Sequence, residues 1–453
     1  MAHESTTIRF WGGLRTIGGT IISIECSGTR LIFDFGRTFS QQQNFLGGSF
    51  ALRKGRTVHD ALRLGVLPAI DGIYSRDQLQ GEKQLKAAEE TDIQTEVYIS
   101  HLHLDHTGAM DTIAGSIPVY MTPESLKLEQ ALERSGERLA LSRRYDKLQP
   151  SVPHRIGNLT MTPIRLDHDI VGASALHIAT PDGSILYTGD LRLHGFHPQR
   201  TEAFIDQAKR LGFQLLIMET TTLSDVEQQR SPLVASRALP QRLMTEQQLA
   251  ERWKQLSGMT DGLIIFNVYN RNVERLRQIV DTARHTQRKA VFNPASACLL
   301  NAFYPDLPLA VFAAAPGAAA SEGYAEQVSA AAINRAPGSY MLQCSFEDSL
   351  QLLDLNLDGA RYLHAGGMPI GDYDPSYKQL LDFLALVGIE HVALNCSGHA
   401  APQHLKWILD QLDPDLLIPL HGFHPERLMP ARGRQFLPEY GRTYRLGELM
   451  ARG

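Results

Sequence analysis

Glu96-Val97-Tyr98-Ile99-Ser100-His101-Leu102-His103-Leu104-Asp105-His106 is the stretch on which the fold turns. Its first half is rich in β-branched and aromatic residues and reads as a strand. Its second half packs three histidines and an aspartate into six positions, in a chain with 17 His among 453 residues. Gly108 follows, so the cluster reads as a loop at the strand's C-terminal end. Imidazole nitrogen and carboxylate oxygen are preferred ligands of Zn²⁺, and a tight loop can aim them at two neighbouring ions. The bland alternative is a polar turn with incidental histidines. The density of ligand-type residues argues against it.

One loop does not complete a metal site, so further ligands are expected at other strand ends. His168 follows the apolar run Leu159–Leu166, Asp190 closes the run Ser184–Asp190, and Asp34 closes Leu31–Phe33. A carboxylate at the end of such a run needs hydrogen bonds or a cation. Each residue alone reads equally well as a turn residue. Their shared placement beside the loop cluster is what makes them candidates.

Around this cluster the chain reads as follows. Residues 7–35 are short Ile/Phe/Thr-rich runs broken by glycine, which predicts antiparallel strands with tight turns. Residues 59–95 read as loop and helix, 123–144 as a helix, and 159–166, 174–180 and 184–190 as strands. From about 216 the pattern changes to apolar runs followed by helical patterns: LLIMETT at 215–221, then GLIIFNVY at 262–269 before NVERLRQIVDTAR. Such alternation predicts an α/β unit with a parallel sheet. Residues 313–338 are rich in Ala, Gly and Ser and read as surface helix and loop. Two further helix–strand pairs, at 378–395 and 404–422, close the chain. A domain inserted within another fits this order better than two in series.

The hydrophobic fraction of 43% excludes wholesale disorder, and the net charge of −5 excludes a globally basic nucleic-acid coat but not a local groove. Cys26, Cys298, Cys344 and Cys396 are widely spaced and form no C-x-x-C pair, so they read as small buried hydrophobes. The first residues, MAHESTTIRF, lack a signal-peptide pattern, and the most apolar stretch, Leu309 to Ala320, is too short to span a bilayer. A cytoplasmic protein with no membrane partner is expected.

HLHLDH resembles the H-x-H-x-D-H signature of the metallo-β-lactamase fold, and Asp34, His168 and Asp190 match that family's other motifs in order. The resemblance implies an α/β fold, an αββα sandwich with a binuclear site along one edge. It implies that His101, His103 and His168 hold one zinc, that Asp105 and His106 hold a second, and that Asp190 bridges them, with Mn²⁺ as an alternative metal. Asp34 would orient a ligand from behind. Glu219 in LLIMETT, and Ser397-Gly398-His399-Ala400 followed by His421-Gly422, resemble motifs of the β-CASP nucleases, especially the RNase J branch. VYNRNVERLRQIVDTARHTQRKAVF resembles the β-CASP insert. The implied organisation is a metallo-β-lactamase domain in two parts, 1–215 and 381–453, with an inserted α/β β-CASP domain at 216–380. His421 would join the second zinc. Ser397, Gly398 and His399 would meet substrate, with His399 as proton donor oriented by Glu219 and Asp105 at the catalytic metal. His at the last motif favours RNA over DNA as substrate.

The implied chemistry is zinc-dependent RNA phosphodiester hydrolysis, exo- or endonucleolytic, leaving a 5′-phosphate. Two metals roughly 3.5–4 Å apart would activate the attacking hydroxide. Thr16 and Thr20 stand where the family has Glu and Asn, DIVGAS follows His168 without the usual Pro-Asp, and QCSFEDS at 343–349 replaces a Ser-rich loop. The chain is also expected to be a shortened relative without RNase J's extra C-terminal domain. His194 and His197 read as exposed loop histidines, His364 as part of a Gly-rich loop, and Arg53-Lys54-Gly55-Arg56 as a solvated basic face. A DNA nuclease of the same group, a small-ester hydrolase and a scaffolding subunit are the competing readings. A homo-oligomer and RNA-processing partners both stay open.

Overall fold

The computed structural model describes residues 5–38, 52–138, 143–223, 232–313, 323, 325–371 and 374–451. Alternation of side chains along the strands builds the layers. Leu31 and Phe33 enter one buried cluster while Ile32, between them, enters another. Leu215 and Ile217 likewise face one cluster, and Leu216 and Met218 the other side. A strand apolar on both faces must be covered on both.

Two seven-stranded sheets result. The first runs Thr443–Arg445, Thr7–Phe10, Ile22–Cys26, Thr29–Phe33, Gln94–Tyr98, Val119–Met121 and Tyr145–Lys147 in spatial order. The second runs Arg434–Gln435, Leu416–Leu420, Leu215–Glu219, Gly183–Tyr187, Ser174–Thr180, Leu159–Arg165 and His154–Ile156. Phe10, Phe33, Tyr98, Met161, Tyr187, Ile217 and Ile418 share the core between them. Leu128 and Leu132 of the helix Pro123–Arg134 cover the outside of the first sheet. Phe204 of Pro198–Leu211 and Leu405 of Pro402–Leu412 cover the outside of the second. This is the expected αββα sandwich.

A third sheet has five strands, all parallel: Lys289–Val291, Tyr340–Gln343, Ile264–Val268, Arg361–Ala365 and Glu390–Ala393. Trp253 and Ile279 lie on one face and Leu380 and Leu384 on the other, so this unit has its own core. It docks on the sandwich through Val273 and Leu299, which join the apolar layer outside the first sheet.

Sheet pairing places the edges of this unit differently from 216–380. Leu215–Glu219 pairs in parallel with Gly183–Tyr187 and Leu416–Leu420, which makes it a sandwich strand. Glu390–Ala393 pairs with Arg361–Ala365, so the 380/381 cut falls inside the helix Pro375–Leu386. Apolar runs destined for either parallel environment look alike, and only hydrogen-bond partners separate them.

Smaller differences are local. The helix expected over 123–144 ends at Arg134, and 139–142 lie outside the described residues. Within 313–338, residues 314–322 and 324 lie outside them; the described part includes the strand Ala325–Ser329, paired with Leu309–Ala313, and the helix Ala330–Arg335. His364 belongs to a buried strand rather than to the Gly-rich loop that follows, and His194 is buried rather than exposed. No helix among the described residues is long and apolar enough to cross a membrane.

Candidate metal centre

Strand direction assembles the site. Thr29–Phe33 and Gln94–Tyr98 run parallel, so Asp34 and His101 emerge at the same edge. Across the sandwich, Gly183–Tyr187, Leu215–Glu219 and Leu416–Leu420 run parallel to one another and release Asp190, Glu219 and His421 at one end. Glu219 pairs with Leu420, which puts His421 one residue beyond it on the neighbouring strand. His421 and Asp34 both have positive φ, 57° and 60°, as the chain turns sharply to aim these side chains inward. Gly36 has no room for a side chain: a Cβ there would lie 1.6 Å from the Asp105 carbonyl oxygen. The first sheet's loop can therefore pass directly under the HLHLDH turn.

Two groups of donor atoms meet here, His101, His103, His168 and Asp190 in one and Asp105, His106, Asp190 and His421 in the other. Asp190 belongs to both, and to a third, smaller group with Glu219 and His399. Its Oδ2 lies 3.1 Å from His106 Nε2, 3.6 Å from His101 Nε2 and 3.9 Å from His421 Nε2. His168 Nε2 is 3.1 Å from His103 Nδ1, and His421 Nε2 is 3.0 Å from Asp105 Oδ2. His101 Nε2 and Asp190 Oδ2 are buried and find no hydrogen-bond partner among the described residues. Buried polar atoms without partners are costly, and a cation between them would remove that cost. The donor set therefore fits divalent metal.

The far side of each ring is held. Asp34 accepts from Ser100 N at 2.7 Å, Ser100 Oγ at 2.9 Å, His106 Nδ1 at 2.8 Å and Tyr187 Oη at 2.5 Å. His101 Nδ1 lies 3.0 Å from Ser100 Oγ, so the same carboxylate orients two histidines, one directly and one through a hydroxyl. His168 Nδ1 donates to Gly398 O at 2.6 Å, leaving Nε2 for the centre. His421 Nδ1 is 2.9 Å from Thr221 Oγ1, and that hydroxyl donates to Glu219 Oε2 at 2.5 Å. Such outer partners fix which ring nitrogen is available.

Charge divides the site. Burial, with His106 next, lowers the His101 pKa well below its ordinary value, and burial takes His168 down to about 3. Both rings are neutral and able to ligate. Burial opposes the charge on Asp190 too, but His421 and His106 outweigh it and hold the carboxylate ionised. His399 Nδ1 sits 3.0 Å from Glu219 Oε2 and 3.8 Å from Asp190 Oδ2. Burial pulls this imidazole down, yet Glu219 and Asp190 prevail and raise it to about 10. It carries a proton at neutral pH.

Ser397 and Gly398 turn much of their polarity inward. Ser397 O accepts from Arg192 at 3.1 Å, Ser397 Oγ accepts from His399 N at 3.1 Å, and Gly398 O accepts from His168. His197 is bound to Glu274 at 2.7 Å, and Arg53 to Asp60 at 2.9 Å. Asp169 was not among the expected site residues; its Oδ1 lies 3.3 Å from His103 Nε2 and 3.5 Å from His168 Nε2. Its signal was the second carboxylate of Leu-Asp-His-Asp. Ser100, Tyr187, Thr221 and Arg192 carried no signal of their own.

A model of the beta-lactamase superfamily domain matches residues 70–254, which include the HLHLDH turn, His168, Asp190 and Glu219. The crystal structure of a protein of unknown function from Enterococcus faecalis V583 superposes with a TM-score of 0.81 at 30% identity, covering 98% of this chain and 100% of that one.

The chain has the metallo-β-lactamase fold.

Its similarity to other proteins runs well beyond the matched domain. Ribonuclease J of Pyrococcus abyssi (strain GE5 / Orsay) is 22% identical over 93% of this chain and 91% of its own length. Ribonuclease J of Methanocaldococcus jannaschii is 22% identical over 96% and 94%. Ribonuclease J of Helicobacter pylori (strain J99) is 23% identical over 93% of this chain, which spans 56% of that longer protein. This metallo-β-lactamase chain is thus ribonuclease J-like across both the sandwich and the third sheet.

Proposed function

We propose that this protein is a metal-dependent ribonuclease that hydrolyses RNA phosphodiesters and leaves a 5′-phosphate. The observation that carries the proposal is the shared Asp190, which joins two groups of ligand atoms beside the His399–Glu219 pair. Similarity to ribonuclease J along nearly the whole chain supports RNA as the substrate.

His101, His103 and His168 would hold one ion, Asp105, His106 and His421 the other, and Asp190 both. Two zinc ions are proposed, with Mn²⁺ able to replace them. When bound, the ions supply Lewis acidity that makes water nucleophilic near neutral pH and offset the charge developing on phosphate. Asp105 and Asp190 accept hydrogen bonds from the attacking water and orient it in line with phosphorus. The His399 imidazolium, held by Glu219 through Nδ1, gives a proton from Nε2 to the departing 3′ oxygen, which is otherwise a poor leaving group. Ser397 and Gly398 set the position of His399 and flank the scissile phosphate. We read the third-sheet unit as a β-CASP domain that closes over the strand ends, and we place the protein in the cytoplasm.

The test is metal analysis combined with cleavage of 5′-phosphorylated RNA, 5′-hydroxyl RNA and single-stranded DNA, each with and without chelator. Two equivalents of metal and chelator-sensitive RNA cleavage are expected, with DNA cut poorly. Intact RNA at full metal occupancy would overturn the reading.

A further inference from the structure

The seven residues from Tyr269 to Arg275, where the third-sheet unit begins its helix Val273–His285, reach both flanks of the metal centre. On one flank the Tyr269 ring meets the His103 ring edge-on at 5.2 Å, and Arg271 donates to Leu102 O at 2.7 Å, the carbonyl between His101 and His103. On the other flank Arg275 makes a bidentate pair with Glu246, at 2.7 Å to Oε1 and 3.1 Å to Oε2. Its remaining donors go to Ala365 O at 2.9 Å and Cys396 O at 3.1 Å. Glu246 Oε1 also lies 3.0 Å from Arg192 Nη1. Arg192 then donates to Ser397 O at 3.1 Å and to His168 O at 3.2 Å.

All three members of this chain of charges are at most 1% exposed. Removing three charges from water is expensive, and apolar residues of similar volume would serve stability as well or better. What apolar residues cannot do is fix the direction of four main-chain carbonyls at once. Two planar guanidinium groups with rigid forks do so, Arg275 and Arg192 holding two carbonyls each. Three of the carbonyls belong to the candidate metal ligand His168 and to the loop bearing His399 (Cys396 and Ser397), and the fourth, Ala365 O, ends a strand of the third sheet. The relay therefore joins the inserted unit to the two segments that must keep register for chemistry.

We infer that Arg192, Glu246 and Arg275 are positioning residues, a buried relay through which the third-sheet unit holds the main chain of His168 and His399 in working geometry. The rate consequences rest on the phosphodiesterase reading, whereas the structural consequence does not.

The test uses the full-length, metal-loaded protein and the variants Arg275→Met, Arg275→Lys and Glu246→Gln. Amide hydrogen exchange is followed in peptides covering 166–170 and 395–401, with 119–134 as the internal control. Exchange in both loops should rise on the order of tenfold in Arg275→Met, with the control unchanged. A misplaced His399 should cost about 10²-fold in kcat on RNA with KM nearly constant. It should cost far less on bis(p-nitrophenyl) phosphate, whose leaving group needs no proton. Arg275→Lys should recover part of the loss. Should Arg275→Met fail to fold, Glu246→Gln keeps the shape and carries the same two measurements. Unchanged exchange in both loops overturns the relay, as do equal losses on both substrates with Lys no better than Met. A wild-type protein that cleaves neither substrate overturns the hydrolase reading instead, and exchange still judges the relay.

Discussion

His399 Nδ1 lies 3.0 Å from Glu219 Oε2, although 180 residues and the whole third-sheet unit separate them in the chain. The same carboxylate oxygen accepts from Thr221, whose hydroxyl meets His421. Glu219 thus couples the proposed proton donor to a proposed metal ligand.

His399→Ala should slow RNA cleavage by about 10²–10⁴-fold while leaving metal content unchanged. The pH profile separates donor from ligand. Glu219, with Asp190, offsets the effect of burial and keeps His399 protonated up to about 10. Glu219→Gln weakens that support, so the imidazolium is lost at lower pH and the alkaline limb of the rate profile should move down. A profile that stays in place would contradict the role of Glu219.

Removing Asp190 should disable both groups of ligands together, because its carboxylate is shared between them. Metal analysis of Asp190→Ala should show loss of both ions, with no detectable cleavage. His103→Ala touches one group and should give a partly occupied, inactive protein.

Asp34 holds His106 from behind, 2.8 Å from Nδ1, and Asp169 stands beside His103 and His168, 3.3 Å and 3.5 Å from their Nε2 atoms. Asp34→Asn and Asp169→Asn should each weaken metal affinity by about 10–100-fold without abolishing binding. Competition with a chelator of known affinity measures this.

Stability should fall in acid for reasons outside the metal centre. Burial lowers His364 to about 4, with His391 adding to it, and burial and then Arg192 lower His194 to about 3. The unfolded chain takes up a proton on each near its ordinary value of 6.5, while the folded chain does not. Their stabilising contribution is complete above pH 6.5 and is lost as pH falls from 6.5 towards 4. The slope reaches about 1.4 kcal/mol per pH unit for each histidine. Urea midpoints at pH 7.5 and 5 should show this, and His364→Phe should flatten the difference.

The donor types of the site were legible because metal chemistry is local in residue type. Three histidines and an aspartate in six positions announce themselves, and Asp34, His168 and Asp190 stand just after apolar runs. The strands of residues 7–35 were legible from their Ile/Phe/Thr-rich composition, but which core each of Leu31, Ile32 and Phe33 enters was not, because all three are apolar. The edges of the inserted unit were less legible, because Leu215–Glu219 and Ile264–Val268 are both continuous apolar runs. Their sheets differ only in their partners.

By itself the sequence determined which atoms are available to bind metal and that they emerge at strand ends. Tertiary structure decided which rings face which, that Glu219 stands beside His421, and that Asp169 and Arg192 belong to the site at all. The physical reason is register. A parallel pairing of Leu215–Glu219 with Leu416–Leu420 brings residues two hundred positions apart into hydrogen-bond range, and no local pattern encodes that pairing.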